Sequence, residues 1–244
     1  MIDITTFGSG SGGNGYAVDD GINQILLEAG ISYKNAAPKM NFDFRRAVGM
    51  FITHEHGDHV KYLSQYLEKT SLPVFMSHGT AKALHLEPSY RIHLLKPFQT
   101  VKVGSWKVTP FSVEHDAAEP FGYVAANEAD NQLLYVTDSY FVPWKFSHIS
   151  HMLVEMNYAE DIAADNDHQQ ILNHSLHDRI LTSHFEMQNA LKFIMANKSP
   201  DLQQIVLIHV SKTNGDPLRF KQVTEQLTGV PVDVAGRGLL GYQK

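Results

Sequence analysis

Residues 54–59 read His-Glu-His-Gly-Asp-His, a pattern H-x-H-x-D-H that sets three imidazoles and the Asp58 carboxylate within six positions. In an extended segment, residues two apart project to the same side. His54 and His56 can therefore turn their imidazoles to one point. Asp58 and His59 stand where a helix begins and can face a second point nearby. Neutral imidazole and carboxylate suit zinc, manganese or iron. The alternative is a solvated polar turn at a helix start. The chain holds 14 histidines and no cysteine, so disulfides and thiolate metal sites are excluded.

Positioning such a loop needs a rigid strand before it and a helix after it. Residues 48–53 (VGMFIT) have the continuous apolar character of a buried strand, and residues 58–69 carry Val60, Leu63, Tyr66 and Leu67 on one helical face. Upstream, residues 2–7 read as a strand. Residues 16–19 and 24–28 read as two more, joined at Asp20-Gly21. Ser32 can cap a short helix running toward Met40. Residues 73–76 suggest a strand and 79–86 a helix. From residue 91 to 136 the pattern alternates with period two, which predicts a run of antiparallel strands. Strands are expected at 152–156, 205–208 and 230–234, with helices at 158–180, 184–196 and 218–227. Two strand-rich halves, each followed by helices, predict an α/β architecture with sheets inside and helices outside.

Composition is that of a globular protein: 244 residues, 43% hydrophobic, 19% charged, formal charge −6. No basic run exceeds Arg45-Arg46, so no basic tail advertises nucleic acid. No apolar run approaches the ~18 residues of a membrane span, and no leader pattern is read at the start. A cytoplasmic protein without a membrane partner is expected.

The histidine cluster and several other stretches resemble the metallo-β-lactamase superfamily along nearly the whole chain. Gly8-Ser9-Gly10-Ser11-Gly12-Gly13-Asn14, His115-Asp116-Ala117-Ala118-Glu119-Pro120, Val136-Thr137-Asp138-Ser139 and His209-Val210-Ser211-Lys212-Thr213-Asn214 are similar to segments of its YycJ/WalJ-like nuclease group. The resemblance implies an αββα sandwich of two mixed β-sheets with helices on the outer faces. It implies one domain over residues 1–244, without the β-CASP insertion of related nucleases. It also implies two divalent metal ions, zinc or manganese with iron as a further option. His54, His56, His115 and Asp138 would hold one ion, and Asp58, His59, His209 and Asp138 the other. His115, Asp138 and His209 each follow an apolar stretch, consistent with one rim of a sheet.

The chain departs from that group in two places. Met156-Asn157-Tyr158 stands where the group has Asn-His-Asp, and Ser183-His184-Phe185-Glu186-Met187 keeps only the histidine of a Gly-His-Leu-Ser-Asn segment. His184 is a candidate to protonate a leaving oxygen or bind phosphate, or else a histidine at a helix N-terminus. Glu55 either orients a neighbouring ligand or is solvated. His78, His85, His93, His148, His151, His168, His174 and His177 match no ligand position. His174 and His177 have the i,i+3 spacing that can bind metal on a helix, but no carboxylate partner can be placed beside them.

Gly8 to Gly13 is a literal G-x-G-x-x-G. A dinucleotide site needs a helix directly after it and an acid about 20 residues on. Here Asn14-Gly15 leads into a strand pattern, and Glu28 ends a strand. No Gly-Lys-Ser/Thr is present either, so no nucleotide cofactor is expected. One reading is a flexible connection between strands. The other, suggested by the resemblance, is a clamp for a substrate phosphate built from Ser9, Ser11, Gly12 and Asn14 beside the metals.

The function expected is a dinuclear metal-dependent hydrolase: a phosphodiesterase or nuclease, with the resemblance pointing to a DNA exonuclease. A metal-bridging hydroxide would attack, and Asp58 would hold its proton. Nucleic acid, DNA ahead of RNA, would be the partner. The alternatives are a hydrolase of small esters, lactones or thioesters, and a regulatory protein using metals structurally. A full set of seven donors argues against the last, since a structural site has no need of an open coordination position.

Overall fold

The computed structural model describes residues 2–168 and 183–236. Strands β1 (Asp3–Gly8), β2 (Gly15–Asp19), β3 (Gln24–Leu27), β4 (Ala47–Phe51), β5 (Val74–Ser77) and β6 (Ile92–Leu95) form a six-stranded sheet in chain order. Strands β7 (Val101–Val103), β8 (Trp106–Ser112), β9 (Phe121–Asn127), β10 (Gln132–Val136), β11 (His151–Glu155), β12 (Gln204–Ile208) and β13 (Val232–Val234) form a seven-stranded sheet, again in chain order. In each sheet the early strands pair antiparallel and the later ones parallel.

Strand alternation divides the apolar residues among three cores. Ile25, Leu27, Phe51, Tyr123, Tyr135 and Leu153 fill the space between the sheets. Leu26, Met50 and Ile52 face the other way, against helices α1 (Tyr33–Ala36), α3 (Leu63–Lys69) and α4 (His78–Ala83). Met152, Val154, Ile205 and Leu207 pack outward on the second sheet, where Leu191 and Ile194 of α6 (Met187–Asn197) and Phe220 of α7 (Pro217–Thr228) cover them. Strands buried on both faces are apolar at every position, which is why VGMFI and IVLI show no alternation. The result is an αββα sandwich of two mixed sheets, as expected. Phe51 ties its halves together, stacked on Phe75 (4.8 Å) and edge-on to Tyr123 (5.5 Å).

Several local expectations are corrected. The helix expected over 58–69 is two: α2 (Gly57–Val60) and α3, broken at Tyr62, whose N–H bonds to Ala29 O (3.0 Å) instead of continuing a helix. The period-two region does not begin as an antiparallel run. Its first strand, β6, pairs parallel with β5 in the first sheet, because alternation specifies a half-buried strand and not its neighbour. Ser32 occupies the N-cap position of α1, but its side chain makes no capping bond. The helix expected at 158–180 is described as α5 (Glu160–His168), and the remainder lies outside the described residues, with His174 and His177. The next helix begins at Met187, capped by Glu186, so His184 stands in the bend before it. No helix among the described residues is long and apolar enough to cross a membrane.

Candidate metal centre

All seven expected donors meet at one end of the sandwich, and both sheets contribute. His54 and His56 follow β4, and Asp58 and His59 lie in α2. His115 follows β8, Asp138 follows β10, and His209 directly follows β12. Donor atoms of His54, His56, His115 and Asp138 lie within 4.8 Å of one another, and so do those of Asp58, His59, Asp138 and His209. Asp138 is common to both sets, and also to a third group of equally close donors with Glu155, His184 and His209. Each of the two expected sets takes two residues from the first half of the chain and two that follow strands of the second sheet.

Backbone strain aims some of these groups. Asp138 (φ 46°) and His209 (φ 53°) adopt left-handed conformations, as does Glu28 (φ 65°) just past β3. Such conformations cost of order 1–3 kcal/mol each in non-glycine residues and concentrate at functional sites.

Four of the five imidazoles, those of His54, His59, His115 and His209, are held from behind, leaving one nitrogen of each toward the cluster. His54 Nδ1 pairs with Thr53 Oγ1 (2.9 Å), His115 Nδ1 with Ser183 O (3.0 Å) and His209 Nδ1 with Glu155 Oε1 (3.3 Å). His59 Nδ1 lies 3.5 Å from Glu28 Oε2. Metal-binding histidines are oriented in this way. His54 Nε2 is buried, faces the set and has no hydrogen-bond partner among the described residues. His209 Nε2 lies 3.1 Å from Asp58 Oδ2, and His59 Nε2 lies 3.3 Å from both Asp58 Oδ2 and Asp138 Oδ2.

The electrostatics call for cations. Burial opposes ionisation of Asp138, Asp58 and Glu155, yet the surrounding imidazoles hold all three below the usual carboxylate range. Burial disfavours the charged ring of His209, but Asp138, Asp58 and Glu155 push its pKa up to about 10. His59 is raised in the same way, against its burial, by Asp138 and Glu28. His54 and His115, dominated by burial, are lowered. The carboxylates thus favour positive charge at His59 and His209, and a divalent ion can supply that charge in place of protons. The donor set, the orphaned His54 Nε2 and the carboxylate cluster all fit divalent metal.

Two carboxylates escaped the sequence reading. Glu155 is fully buried. It accepts from Ser139 N (3.0 Å) and Phe185 N (3.3 Å), and pairs with His184 Nδ1 (2.7 Å) as well as His209. Glu28, also buried, accepts from Tyr135 OH (3.0 Å) and Thr53 N (3.3 Å) behind His59. Both end apolar strands (QILLE and HMLVE), the same signal that marks Asp138 and His209.

The remaining expected residues divide. His184 is brought to the cluster, with its ring stacked 5.3 Å from that of His209. Among the described residues Glu55 makes no hydrogen bond to a histidine of the cluster. Its Oε1 accepts from Ala118 N (2.7 Å), which fastens the loop after His115. Ser9 and Asn14, expected to be phosphate donors, are turned inward. Ser9 Oγ accepts from Tyr16 OH and His209 N, both at 2.8 Å. Asn14, fully buried, accepts from Gly10 N (2.8 Å) and places Nδ2 3.1 Å from Asp58 Oδ2 and from His59 Nε2. Asn14 is taken up by these contacts, whereas Ser9 is half-buried and its hydroxyl, accepting twice, keeps its own proton to donate. Ser11 and Gly12 are exposed. Of the other histidines, His78, His85 and His148 are exposed, His93 stacks on Phe75, and His151 is buried at the start of β11.

The family model of the beta-lactamase superfamily domain matches residues 23–210. The chain belongs to the metallo-β-lactamase superfamily. Within this superfamily the chain is similar to exodeoxyribonuclease YycJ of Bacillus anthracis, 30% identical over 148 residues. That match covers 58% of this chain and only 56% of the relative. It is 24% identical over 221 residues to exodeoxyribonuclease WalJ of Streptococcus pneumoniae, covering 84% and 80% of the two chains. Among solved structures of the fold, Zn(2+)-bound PqqB from Methylobacterium extorquens superposes with a TM-score of 0.71 at 16% identity, over 98% of this chain and 99% of that one.

Proposed function

We propose that this metallo-β-lactamase-fold hydrolase is a divalent-metal-dependent phosphodiesterase acting on nucleic acid, DNA in preference to RNA. The observation that carries the reading is the pair of four-donor sets sharing Asp138. The resemblance to proteins named as exodeoxyribonucleases supports phosphorus over carbonyl, and DNA over RNA, as the target. His54, His56, His115 and Asp138 would hold one ion, and Asp58, His59, His209 and Asp138 a second, with zinc and manganese suited to such donors. Bound ions of this kind lower the pKa of water and offset the negative charge that builds on an attacked phosphate.

The chain's own groups supply direction. Asp58, with a fifth of its side chain exposed, would accept a hydrogen bond from the attacking water and hold its proton in a fixed direction. His184, fixed through Nδ1 by Glu155, would offer its other ring nitrogen to a phosphate oxygen or the leaving oxygen. Ser11 and Gly12 are exposed on the glycine loop, whose Asn14 touches Asp58, and would be the loop's groups open to a substrate phosphate. Glu155, Glu28, Ser9 and Asn14 position the histidines and Asp58.

The test is hydrolysis by protein loaded with Mn²⁺ or Zn²⁺. Labelled DNA, labelled RNA and bis-p-nitrophenyl phosphate are assayed beside a panel of esters, lactones and thioesters. DNA and the model diester should be cleaved, and Asp58→Ala and Asp138→Ala should abolish cleavage. Turnover confined to the acyl panel, with every phosphodiester intact, overturns the reading.

A further inference from the structure

An exposed aromatic ledge adjoins the metal centre, on the segment that leaves Asp138. Phe141 and Tyr140 are 54% and 40% exposed, and Trp144 is 39% exposed. With Phe185 as a buried floor they line a cavity of about 590 Å³. Large apolar side chains gathered in the open beside a reaction centre mark a binding surface.

The ledge is preorganised. Trp144 Nε1 donates to Ser112 O (2.9 Å), and its ring meets Phe98 edge-on at 4.8 Å. Tyr140 N donates to Glu114 O, and Glu114 N donates to Phe141 O, both at 3.2 Å. The segment is thereby laced to the residue before His115. Tyr140 lies two residues from Asp138, so their Cα atoms are at most about 8 Å apart. Phe185 is the neighbour of His184. All three connections lead to the metal centre.

Charge selects the occupant. The net charge is −6, yet the ionisable side chains lining this cavity are Lys145 and Lys192. Neither has an ion-pair partner among the described residues. Flat apolar rings between free cations suit a ligand that is both aromatic and anionic. Stacking platforms flanked by positive charge bind single-stranded nucleic acid in this way.

We infer that the ledge of Tyr140, Phe141 and Trp144, with Lys145 and Lys192, stacks unpaired bases of a nucleic-acid strand whose phosphate lies at the metal centre. This rests on the phosphodiesterase reading and narrows its substrate to single strands or frayed ends, because a duplex hides its base faces.

The probe is a short phosphorothioate-linked oligothymidylate, which resists cleavage, added to the metal-loaded protein. Trp144 is the exposed one of two tryptophans, Trp106 being fully buried, so stacking should quench protein fluorescence directly. An abasic strand of equal length should not quench. Phe141→Leu and Tyr140→Leu keep apolar bulk and the backbone bonds but remove a ring. Each should weaken binding about 5- to 100-fold, the range given by losing one stacked base. Equal binding of the abasic strand, or unaltered affinity in both variants, overturns the ledge. So does a sedimenting wild-type dimer that Phe141→Leu dissolves with oligonucleotide affinity intact. Bis-p-nitrophenyl phosphate separates the two claims. If wild type hydrolyses it but shows no quenching, the ledge fails alone. If quenching occurs and no phosphodiester is cleaved, the ledge stands and the catalytic reading fails.

Discussion

Glu155 joins His209 and His184 through one carboxylate, so its charge orients two rings at once. Glu155→Gln keeps the size and an acceptor for Ser139 N and Phe185 N but removes the charge. Metal affinity should fall about 10- to 100-fold, as for other carboxylates behind metal-bound histidines, and competition with a chromophoric chelator measures it. Unchanged affinity would reduce Glu155 to a backbone clamp. His151 offers a separate residue-scale prediction. Burial pulls its pKa down to about 4, against 6.5 in an unfolded chain. The folded state therefore resists protonation. Stability from a neutral His151 is complete above about pH 6.5 and is lost as pH falls toward 4. His151→Gln should flatten that part of the urea-stability profile relative to wild type; a parallel profile would place the acid sensitivity elsewhere. His54 to His59 were legible in the sequence because residue type and spacing alone imply convergence. Glu28 and Glu155 were not, since an acid ending an apolar strand reads equally as a solvated terminus. Asn14 misled because polarity in a loop does not reveal which way a side chain turns.

At the scale of elements, the stretch just past β3 sets the position of α2. Ala29 N bonds His59 O (2.7 Å), and Gly30 N bonds Asn14 O (2.9 Å). Asn14 N in turn bonds Asp58 O (2.8 Å). A Cβ at Gly30 would lie 1.7 Å from Asp58 O and 2.6 Å from Asn14 N, so only glycine allows these three backbones to meet. Gly30→Ala should displace Asp58 and cost metal uptake, although residue 30 carries no chemistry of its own. Metal content by mass spectrometry on the folded variant reads this out, and full occupancy would show that the loop gives way harmlessly. The plan of sheets inside and helices outside followed from apolar patterning, and so did most strand positions, but the order of strands within each sheet did not. The break between α2 and α3 did not, because Val60, Leu63, Tyr66 and Leu67 fit one helical face whether or not the backbone is continuous. What interrupts it is a bond from Tyr62 to Ala29, a contact between segments far apart in the chain.

For the molecule as a whole, the donor sets lie across the seam between the two sheets. Metal would bind the folded assembly and not the separated parts, so removing it should lower the melting temperature. At free metal a thousand times Kd the linkage is about 4 kcal/mol, or roughly 10 °C for a chain of this size. Calorimetry with and without chelator measures the shift, and an unmoved transition would mean that the centre contributes nothing to holding the sheets together. The arrangement also resembles a logical conjunction. A cut in the connection at residues 96–100, between β6 and β7, would leave His54, His56, Asp58 and His59 on one fragment and His115, Asp138 and His209 on the other. Each four-donor set would then be divided two and two. Neither fragment could report a complete centre by itself, and metal retained by a mixture of the two would count only the pairs that had found each other.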